Sequence, residues 1–465
     1  MSKLSELFGS LSDQERKLID GILPPHQNTD ELLSLDVKEF TLKLRNSLSL
    51  EQLCSLSDAE LEFRGELMDR VIVAWRDSKD SNISDGSEAS DNNLRNGNIG
   101  ADYKSNNNNN KKIELAFKKA EGLAKPLFKD QYGVCYGWLD ISGHKEVLKI
   151  QSGKFKRLLF KLFYENVGHV PGQGTIDGWV HMFHALADFE GDNTYPLSVR
   201  TAWRDGNIYY DMTNDKWQCV KITPEGWTLE DKTPVPMFAR YKQTPQAEPV
   251  RDYDGDIFDR FLQLTNLKVE EDRVLLSVYI ISLFIPDIQH VISQIHGEQG
   301  SAKSMLQNLI KDLVDPTKPR LLTIYNDQKE FIQQLAHNYL AFYDNLKFTP
   351  RWLSDEACKA CTGVGSTKRQ LFSDDDDIVY EYRRGLGFNG INLGLTEPDI
   401  LDRSIMIELQ RIGMESRKQE SEIMDEFLQL RPQLLAYIFD ILVKTLQIKP
   451  TIKLDDLPRM ADFAV

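Results

Sequence analysis

The feature that most constrains this chain is a glycine-rich loop that lies between an apolar segment and a helical pattern. The segment reads HGEQGSAKS; its loop begins at Gly297, and the segment ends with Lys303 and Ser304. The sequence predicts a strand before it at His290–Ile295 and a helix after it at Met305–Leu313. In such a strand–loop–helix context, backbone amides and the helix N-terminus can bind phosphate groups. We therefore expect a phosphate-binding α/β fold in the C-terminal half.

The loop departs at one position from the common pattern G-x-x-x-x-G-K-[ST], because Ala302 replaces the second glycine. Gly297 and Gly300 still permit a tight curve, and alanine is tolerable at position 302 if that position has helical dihedral angles. Lys303 supplies a charge for the β- and γ-phosphates, and Ser304 supplies a hydroxyl for Mg²⁺. The pattern predicts a site for ATP with Mg²⁺; the alternative is a chance glycine-rich turn. The predicted nucleotide contacts are Gly297, Glu298, Gln299, Gly300, Ser301, Ala302, Lys303, Ser304 and Met305.

A second strand should bring a carboxylate to the metal ion. The apolar segment Tyr339–Tyr343 ends at Asp344 and Asn345, so Asp344 is the predicted partner of Mg²⁺ through water. The alternative is an ordinary Asp-Asn turn that ends a strand. The presence of the glycine-rich loop in the same chain favours the metal-binding hypothesis.

Two further polar residues, Asn389 and Arg403, lie within or next to predicted apolar strands. Asn389 lies within one such strand and can orient an attacking water or sense the γ-phosphate; a strand-end hydrogen bond is the alternative. Arg403 precedes another and can reach the nucleotide of a neighbouring subunit to stabilise transition-state charge. The alternative for Arg403 is a salt bridge to Asp399 or Asp402.

A hairpin is predicted between these strands. Lys368 and Arg369 precede the acidic run Asp374–Asp377, and Ile378–Tyr382 alternates like a strand. In the pore of a ring, the two basic residues would contact a nucleic-acid strand. The acidic run can also be a solvated turn without a function.

Composition divides the rest of the chain. Residues 77–112 are rich in Asn, Ser and Asp and nearly empty of large apolar side chains, which predicts a disordered linker. The fold class predicted is multi-domain α/β, with a parallel sheet flanked by helices in the C-terminal core. The apolar pattern at Phe463–Val465 lacks a helix-ending signal, so we expect natural relatives to continue further. The predicted segments are a helical N-terminal domain at 1–76, the disordered linker at 77–112, an α+β accessory domain at 113–250, an ATPase core at 251–412 and a helical lid at 413–465.

The accessory segment carries two candidate nucleic-acid features. A predicted helix holds a basic cluster, and a solvated helix face is its alternative. Further on, Asp205-Gly206 lies between alternating runs and predicts a hairpin within an antiparallel meander. The aromatic side chains of the meander are either a base-stacking platform or ordinary sheet core. The basic cluster is Lys154, Lys156, Arg157 and Lys161, and the aromatic set is Trp203, Tyr209, Tyr210, Trp217 and Trp227.

Net charge and cysteine content exclude some classes of protein. The formal net charge of −15 means that any nucleic-acid contacts must be local. Five scattered cysteines do not form a disulfide framework, and Cys358 and Cys361 make one isolated C-x-x-C, whose metal or redox role is the minority hypothesis. The sequence has neither a signal core nor an apolar run that could span a bilayer, so we expect a cytoplasmic protein.

The order of these elements resembles the AAA+ ATPase core: the loop strand, an extra strand at Leu321–Tyr325, and the strands of Asp344, Asn389 and Arg403. The spacing and the basic hairpin are similar to superfamily 3 helicases and to primase–helicase ATPases of viruses, plasmids and integrated elements. The likeness covers about residues 125–465. The segments that carry it are GEQGSAKS, FYDNLKFTPRWLSDE, KRQLFSDDDD, GFNGIN and PDILDRSIMIEL, with the meander upstream.

This resemblance implies both residue roles and departures from the family pattern. Asn345 stands where many such ATPases have a catalytic Glu or Asp, and Asn can position a water but cannot take its proton. Glu298, Asp355 and Glu356 are candidate substitutes. The implied roles are Walker A for Lys303 and Ser304, Walker B for Asp344, sensor 1 for Asn389, arginine finger for Arg403 and DNA contacts for Lys368 and Arg369.

Three functional hypotheses follow. The first is an ATP-dependent DNA helicase or translocase that acts in replication of a mobile element as a ring, most simply a hexamer, since Arg403 serves a neighbour's nucleotide. A separate primase or polymerase would then be a partner. The second is an ATP-switched DNA-binding or assembly protein with slow hydrolysis, which Asn345 favours. The third is a small-molecule kinase, against which the multi-domain organisation and Arg403 argue.

Overall fold

The structure is a computed structural model, and the chain divides into the units Met1–Ala101 and Asp102–Val465. The predicted helical domain 1–76, and the linker up to residue 98, lie outside the described residues. Of the described helices, none is long and apolar enough to cross a membrane. The structure describes residues 99–191, 194–346, 349–363, 366–369, 377–380, 383–391, 395–453 and 459–464.

The first part of the fold is a small antiparallel sheet packed against helices. Strands β1, β2 and β3 pair in that order, and the buried faces of α2 and α3 cover them through Phe155, Leu159 and Phe183. Ser152 caps α2 because its hydroxyl accepts the amide of Phe155. The elements are α1 (Ile99–Leu123), β1 (Ala124–Lys129), β2 (Cys135–Ile141), β3 (His144–Lys149), α2 (Gly153–Val167) and α3 (Gln173–Phe189).

Helix α1 corrects one sequence prediction. It begins at Ile99, inside the segment predicted as a disordered linker, so residues 99–112 are helical in the structure. The helix extends from a C-terminal part whose Ala116 and Ala120 are buried, and tertiary packing there overrides the weak helix propensity of the Asn-rich run. The domain boundaries themselves stay predictions.

The predicted antiparallel meander is present as a four-stranded sheet. The strands pair in the order β4–β5–β6–β7, with turns at Asp205-Gly206 and at Pro224-Glu225. One face of the sheet contributes Tyr210, Val220 and Ile222 to the main hydrophobic core. The strands are β4 (Thr201–Arg204), β5 (Asn207–Asp211), β6 (Cys219–Thr223) and β7 (Gly226–Glu230).

The C-terminal part contains a parallel sheet with the order β13–β8–β12–β9. The predicted extra strand at Leu321–Tyr325 is wrong as a strand, because only Leu322 bridges Tyr343 beside β9. Asp327 is already the N-cap of the next helix, so the chain leaves the edge of the sheet shortly after Leu322. The strands are β8 (Ile292–His296), β9 (Leu340–Tyr343), β12 (Gly385–Gly390) and β13 (Ser404–Glu408), and a separate hairpin pairs β10 (Ser366–Arg369) with β11 (Asp377–Tyr380).

Helices surround this sheet. A long helix, α10, packs against α4, α6, β6 and β7, and the indole Nε1 of Trp227 donates to Asp440 at 2.9 Å. Helix α10 therefore joins the meander to the helix that follows the glycine-rich loop. The helices are α4 (Ile257–Gln263), α5 (Glu270–Ser282), α6 (Lys303–Val314), α7 (Gln328–His337), α8 (Leu353–Thr362), α9 (Pro398–Leu401), α10 (Glu420–Ile448) and α11 (Ala461–Ala464), with 3₁₀ turns at Met414–Ser416 and Lys449–Thr451.

Candidate functional site

The glycine-rich loop connects β8 to α6, as its sequence context predicts. Gly297 has φ +147°, and a Cβ at this position would lie 2.1 Å from the carbonyl oxygen of Leu409. Gly300 has φ +82°. The loop therefore requires glycine at Gly297 on two grounds, a positive φ and the close approach of the chain after β13.

The backbone of Ala302 does not meet the condition of helical dihedral angles. Its dihedral angles are φ +66° and ψ +29°, which are left-handed rather than helical, and it occupies the N-cap position of α6 without a side-chain hydrogen bond. The left-handed conformation costs an L-residue roughly 1–2 kcal/mol. The condition for an unstrained alanine is therefore not met, since residue 302 is the N-cap, one position before the helix begins.

Lys303 lies within the loop that precedes it. Its ammonium donates to the carbonyl oxygens of Gly297 at 2.7 Å and Glu298 at 2.8 Å, and its Nζ lies 3.3 Å from the Ser301 hydroxyl. Partial burial lowers the pKa of Lys303, while the charge of Asp344 opposes that change. The ammonium is thus held where the loop curves, and it offers a positive charge to an anion there.

Ser304 and Asp344 meet across the sheet edge. The Ser304 hydroxyl, in the first turn of α6, donates to Oδ1 of Asp344 at 2.6 Å, directly after β9. Strands β8, β9 and β12 run parallel, so their carboxyl ends lie at one edge of the sheet. This shared edge brings together two residues that are 40 positions apart in sequence.

Asn389 completes the polar cluster. Its Nδ2 donates to Asp344 Oδ1 at 2.8 Å and to Gln307 Oε1 at 2.5 Å, while its Oδ1 accepts the backbone amide of Asn345 at 2.9 Å. Asn389 is buried and lies near the end of β12. The amide therefore orients the Asp344 carboxylate and the Asn345 backbone at once.

Gln307 is a site residue that the sequence reasoning missed. It is fully buried on α6, one turn after Ser304, and its side chain reaches Asn389. A polar residue on the apolar face of the helix after the loop is the signal that could have identified it.

A cavity of about 830 Å³ opens beside this cluster. Three exposed cations from the segment after β13 line it and were not identified from the sequence: Arg411, Arg417 and Lys418. Asn266 helps to shape the wall, since its Nδ2 donates to the carbonyl oxygens of Ser301 at 3.2 Å and Gln410 at 2.5 Å. The cavity has both the volume and the positive charge to accept a phosphorylated ligand.

The carboxylates that line the cavity among the described residues are Asp344 and Glu420. The candidate substitutes for a catalytic acid lie elsewhere. Glu356 is buried on α8, where it accepts from Gln328 at 2.9 Å and Lys359 at 2.7 Å, and Asp355 is exposed on the same helix. Glu298 contributes its backbone carbonyl to Lys303, and its side chain is exposed.

Arg403 does not line this cavity in its own chain. It lies just before β13, at the opposite end of the strand from the cavity, and its guanidinium lies 2.6 Å from Oδ1 of Asp399. Arg459 contacts the same carboxylate. The salt bridge to Asp399 considered from the sequence is therefore present, and a role for Arg403 in catalysis requires a second chain.

The basic hairpin is present as the antiparallel pair of β10 and β11. In the antiparallel register of β10 and β11, Lys368 pairs with Ile378 and Arg369 pairs with Asp377. The predicted acidic tip, apart from Asp377, lies outside the described residues. The hairpin prediction is thus supported at the level of strand pairing.

The C-x-x-C cysteines and the aromatic side chains of the meander are the two other candidate groups. Cys358 and Cys361 are buried on α8, the Cys361 thiol lies 3.2 Å from the carbonyl oxygen of Cys358, and burial raises the pKa of both thiols. Among the meander aromatics, Tyr209, Tyr210 and Trp227 are buried in sheet cores. These three residues are sheet core, whereas Trp203 is exposed and Trp217 is half-buried.

Comparison with known proteins relates the C-terminal part of the chain to replication proteins. Residues 258–465 match the family described as actinomycete integrative conjugative element replication protein. The match includes the glycine-rich loop and the strands of Asp344, Asn389 and Arg403. The match confirms the resemblance to replication proteins of mobile elements over this part of the chain.

Solved structures show a distant likeness. The apo structure of the NrS-1 C terminal region is 12% identical with a TM-score of 0.39, covering 74% of this chain and 76% of that chain. A JCV helicase structure is 10% identical with a TM-score of 0.28, covering 44% of this chain and 63% of that chain. No curated protein matches the chain significantly in sequence.

Proposed function

We propose that this chain is an ATP-dependent DNA helicase or translocase that acts in the replication of a mobile genetic element. The observation that carries the proposal is the hydrogen-bonded cluster of Ser304, Asp344 and Asn389 beside the loop of Lys303. The family match supports the replication context. The sheet order β13–β8–β12–β9, with Leu322 beside β9, supports assignment of the core to the AAA+ class.

The residues fit ATP and Mg²⁺ by their chemistry. Lys303 and the loop amides would hold the phosphates, and the Ser304 hydroxyl and Asp344 carboxylate, which share a 2.6 Å hydrogen bond, are the hard oxygen ligands that Mg²⁺ prefers. Bound Mg²⁺ would neutralise charge on the β- and γ-phosphates. The described residues contain no group of three His, Cys, Asp or Glu that could hold a metal ion by themselves, so the phosphates would complete the coordination.

The protein's own residues would supply positioning and charge. Asn389 fixes the Asp344 carboxylate and can orient an attacking water. Arg403 would act on the nucleotide of a neighbouring subunit in a ring, most simply a hexamer, and stabilise the transition state. In the pore of that ring, Lys368 and Arg369 would contact DNA. A separate primase or polymerase would be a partner in the cytoplasm.

The second candidate function is an ATP-switched DNA-binding or assembly protein. Asn345 favours it, because an amide follows Asp344 and cannot accept a proton from water. Glu420 is the other carboxylate that lines the cavity in the described part of the chain. Slow hydrolysis would follow if Glu420 does not act as a base.

The experiment that separates the two candidates measures ATP turnover with and without single-stranded DNA, together with ATP affinity. A helicase should show turnover that DNA stimulates, and Lys303→Ala and Asp344→Asn should abolish it, while Lys444→Ala on the exposed surface of α10 serves as control. ATP binding that changes DNA affinity, with turnover near zero in both conditions, would favour the switch. A chain that does not bind ATP would contradict both.

A further inference from the structure

The exposed face of α2 combines basic and aromatic side chains. Arg157, Phe160, Lys161 and Tyr164 are spaced at i, i+3, i+4 and i+7, so they lie on one side of the helix. Phe160 is 42% exposed and Tyr164 54% exposed. We call these four residues the α2 face. It lies outside the site described above.

The rings of the α2 face are not needed by the core. The apolar side of α2 is already buried through Phe155, Leu159, Leu162, Phe163 and Val167. Phe160 and Tyr164 point away from that side, separated by about 6 Å of helix rise. Two large rings exposed one turn apart offer flat surfaces on which successive bases can stack.

The charge of the α2 face fits a polyanion. The helix holds four basic residues and one acidic residue, Glu165, in a chain whose net charge is −15. Lys161 lies 3.7 Å from Glu165, and Lys156 lies 3.0 Å from Asp177, but both are solvent-exposed pairs of low strength. Arg157 makes no ion pair within the described part of the chain. Its guanidinium is therefore available to a phosphate.

We propose that the α2 face binds single-stranded DNA, with Phe160 and Tyr164 stacking on bases and Arg157 and Lys161 contacting the backbone. The inference rests on the proposed function for the presence of DNA, and it adds a contact surface separate from the basic hairpin. A membrane surface fits less well, because the apolar side of α2 is buried and cannot insert into lipid.

The test measures binding of the full chain to a fluorescent oligothymidine over a range of salt concentrations. The double variant Phe160→Ala/Tyr164→Ala should weaken binding at least tenfold at constant salt, because each stacked base contributes substantially. The double variant Arg157→Ala/Lys161→Ala should reduce the salt slope of log Kd by about 1.4, since each phosphate contact on a single strand contributes about 0.7. All of these side chains are exposed, and thermal unfolding should show unchanged midpoints.

The control variants remove the same kinds of side chain, aromatic or basic, at exposed positions outside the α2 face. Phe189 is 86% exposed on α3 but lies between Asp188 and Glu190, so Phe189→Ala should leave DNA affinity unchanged. Lys444→Ala should likewise leave the salt slope unchanged. Unchanged affinity and slope in both α2 double variants would overturn the proposal.

Two further measurements distinguish the sources of failure. Binding to phosphatidylserine vesicles that is lost in the α2 variants, with DNA binding retained, would overturn the proposal in favour of a membrane contact. ATP turnover of the wild-type chain is measured in parallel, with and without DNA. If turnover is absent while the α2 variants still lose DNA affinity, the α2 inference stands and the proposed helicase function fails. If turnover is normal and the α2 variants keep their DNA affinity, the helicase function stands and the α2 inference fails.

Discussion

Arg200 and Asp315 form an ion pair in which both side chains are fully buried. Nε of Arg200 lies 3.0 Å from Oδ1 of Asp315, and Lys311 lies 2.9 Å from Oδ2. Although burial opposes its ionisation, the charges of Lys311 and Arg200 hold the pKa of Asp315 below its ordinary value. Arg200 precedes the meander, and Asp315 directly follows α6, so the pair ties the meander to the helix that carries Lys303 and Ser304.

The same carboxylate also anchors β9. Oδ2 of Asp315 accepts the backbone amides of Tyr339 at 3.2 Å and Leu340 at 3.1 Å. Asp344 lies at the other end of that strand. The buried carboxylate therefore joins the two elements that bring Ser304 and Asp344 together.

Removal of Arg200 should strongly destabilise the chain. Arg200→Met leaves Asp315 with one cation and also removes hydrogen bonds to the carbonyl oxygens of Asp211 and Pro316. Breaking a buried pair in this way costs about 3–5 kcal/mol of unfolding free energy. Urea unfolding measures the loss. The control, Arg204→Met, removes an exposed pair to Asp205 and should cost less than about 1 kcal/mol; equal losses in the two variants would contradict the proposed role of the buried pair.

His290 should make the fold sensitive to acid. Burial, together with the charges of Arg384 and Arg383, lowers the pKa of His290 to about 3 from 6.5. Below about pH 6.5 the unfolded chain binds a proton at His290 that the folded chain does not bind until about pH 3. The free energy of unfolding therefore decreases as the pH is lowered through this window. The expected loss is on the order of 1 kcal/mol per pH unit.

Measurement of unfolding free energy between about pH 6 and pH 4 tests this prediction. His290→Gln removes the titrating ring, so its stability should depend less steeply on pH than that of the wild type, whatever its absolute value. Parallel slopes for the two proteins would show that His290 is not the sensitive group.

Ala302→Gly should stabilise the loop. Ala302 has φ +66°, which an alanine adopts at a cost and a glycine adopts freely. Because glycine also loses more entropy on folding, we expect a gain of up to about 1 kcal/mol in unfolding free energy. Ala185→Gly, inside helix α3, is the matched control and should lose about 0.5–1 kcal/mol. A comparable loss at residue 302 would mean that the left-handed conformation is incorrect.

Gln307 should affect turnover more than ATP affinity. Gln307→Met removes the 2.5 Å hydrogen bond to Asn389 and frees the amide that orients Asp344. A lost buried hydrogen bond corresponds to roughly a tenfold fall in kcat. ATP affinity should change by less than about threefold, because Lys303 and the loop are untouched. Gln333→Met, which is exposed on α7, is the control, and an equal fall in that variant would refute the positioning role.

Mixed subunits test the proposed ring. Lys303→Ala and Arg403→Ala should each be inactive alone, because one lacks the phosphate contact and the other the finger. In an equimolar mixture, about a quarter of interfaces would pair an intact loop with an intact Arg403, and turnover should recover to that extent. A mixture that remains inactive, although its subunits co-assemble, would rule out action of Arg403 between chains.

Local sequence patterns were sufficient to predict several elements. The glycine-rich loop with its flanking strand and helix, the hairpin at Asp205-Gly206 and the strand ahead of Asp344 all depend on short-range periodicity and turn chemistry. These predictions are confirmed as structural elements. The functional roles of Lys303, Ser304, Asp344, Asn389 and Arg403 stay predictions.

Other features could not be derived in this way. The helical conformation of residues 99–112 depends on packing further along α1, which overrides a composition that favours disorder. The single bridge at Leu322 depends on how far the chain can run beside β9. The left-handed angle of Ala302 depends on where the loop must reverse before α6.

By itself, the sequence determined that a glycine-rich loop lies between a strand and a helix and which polar residues follow apolar strands, because these are properties of neighbouring positions. Only the tertiary structure decided that Ser304, Asp344, Asn389 and Gln307 form one hydrogen-bonded cluster. It also decided that Arg403 lies away from this cluster, and that Arg200 and Asp315 meet. The physical reason is that such contacts depend on the strand order and on the desolvation of charges, which join residues tens to more than a hundred positions apart.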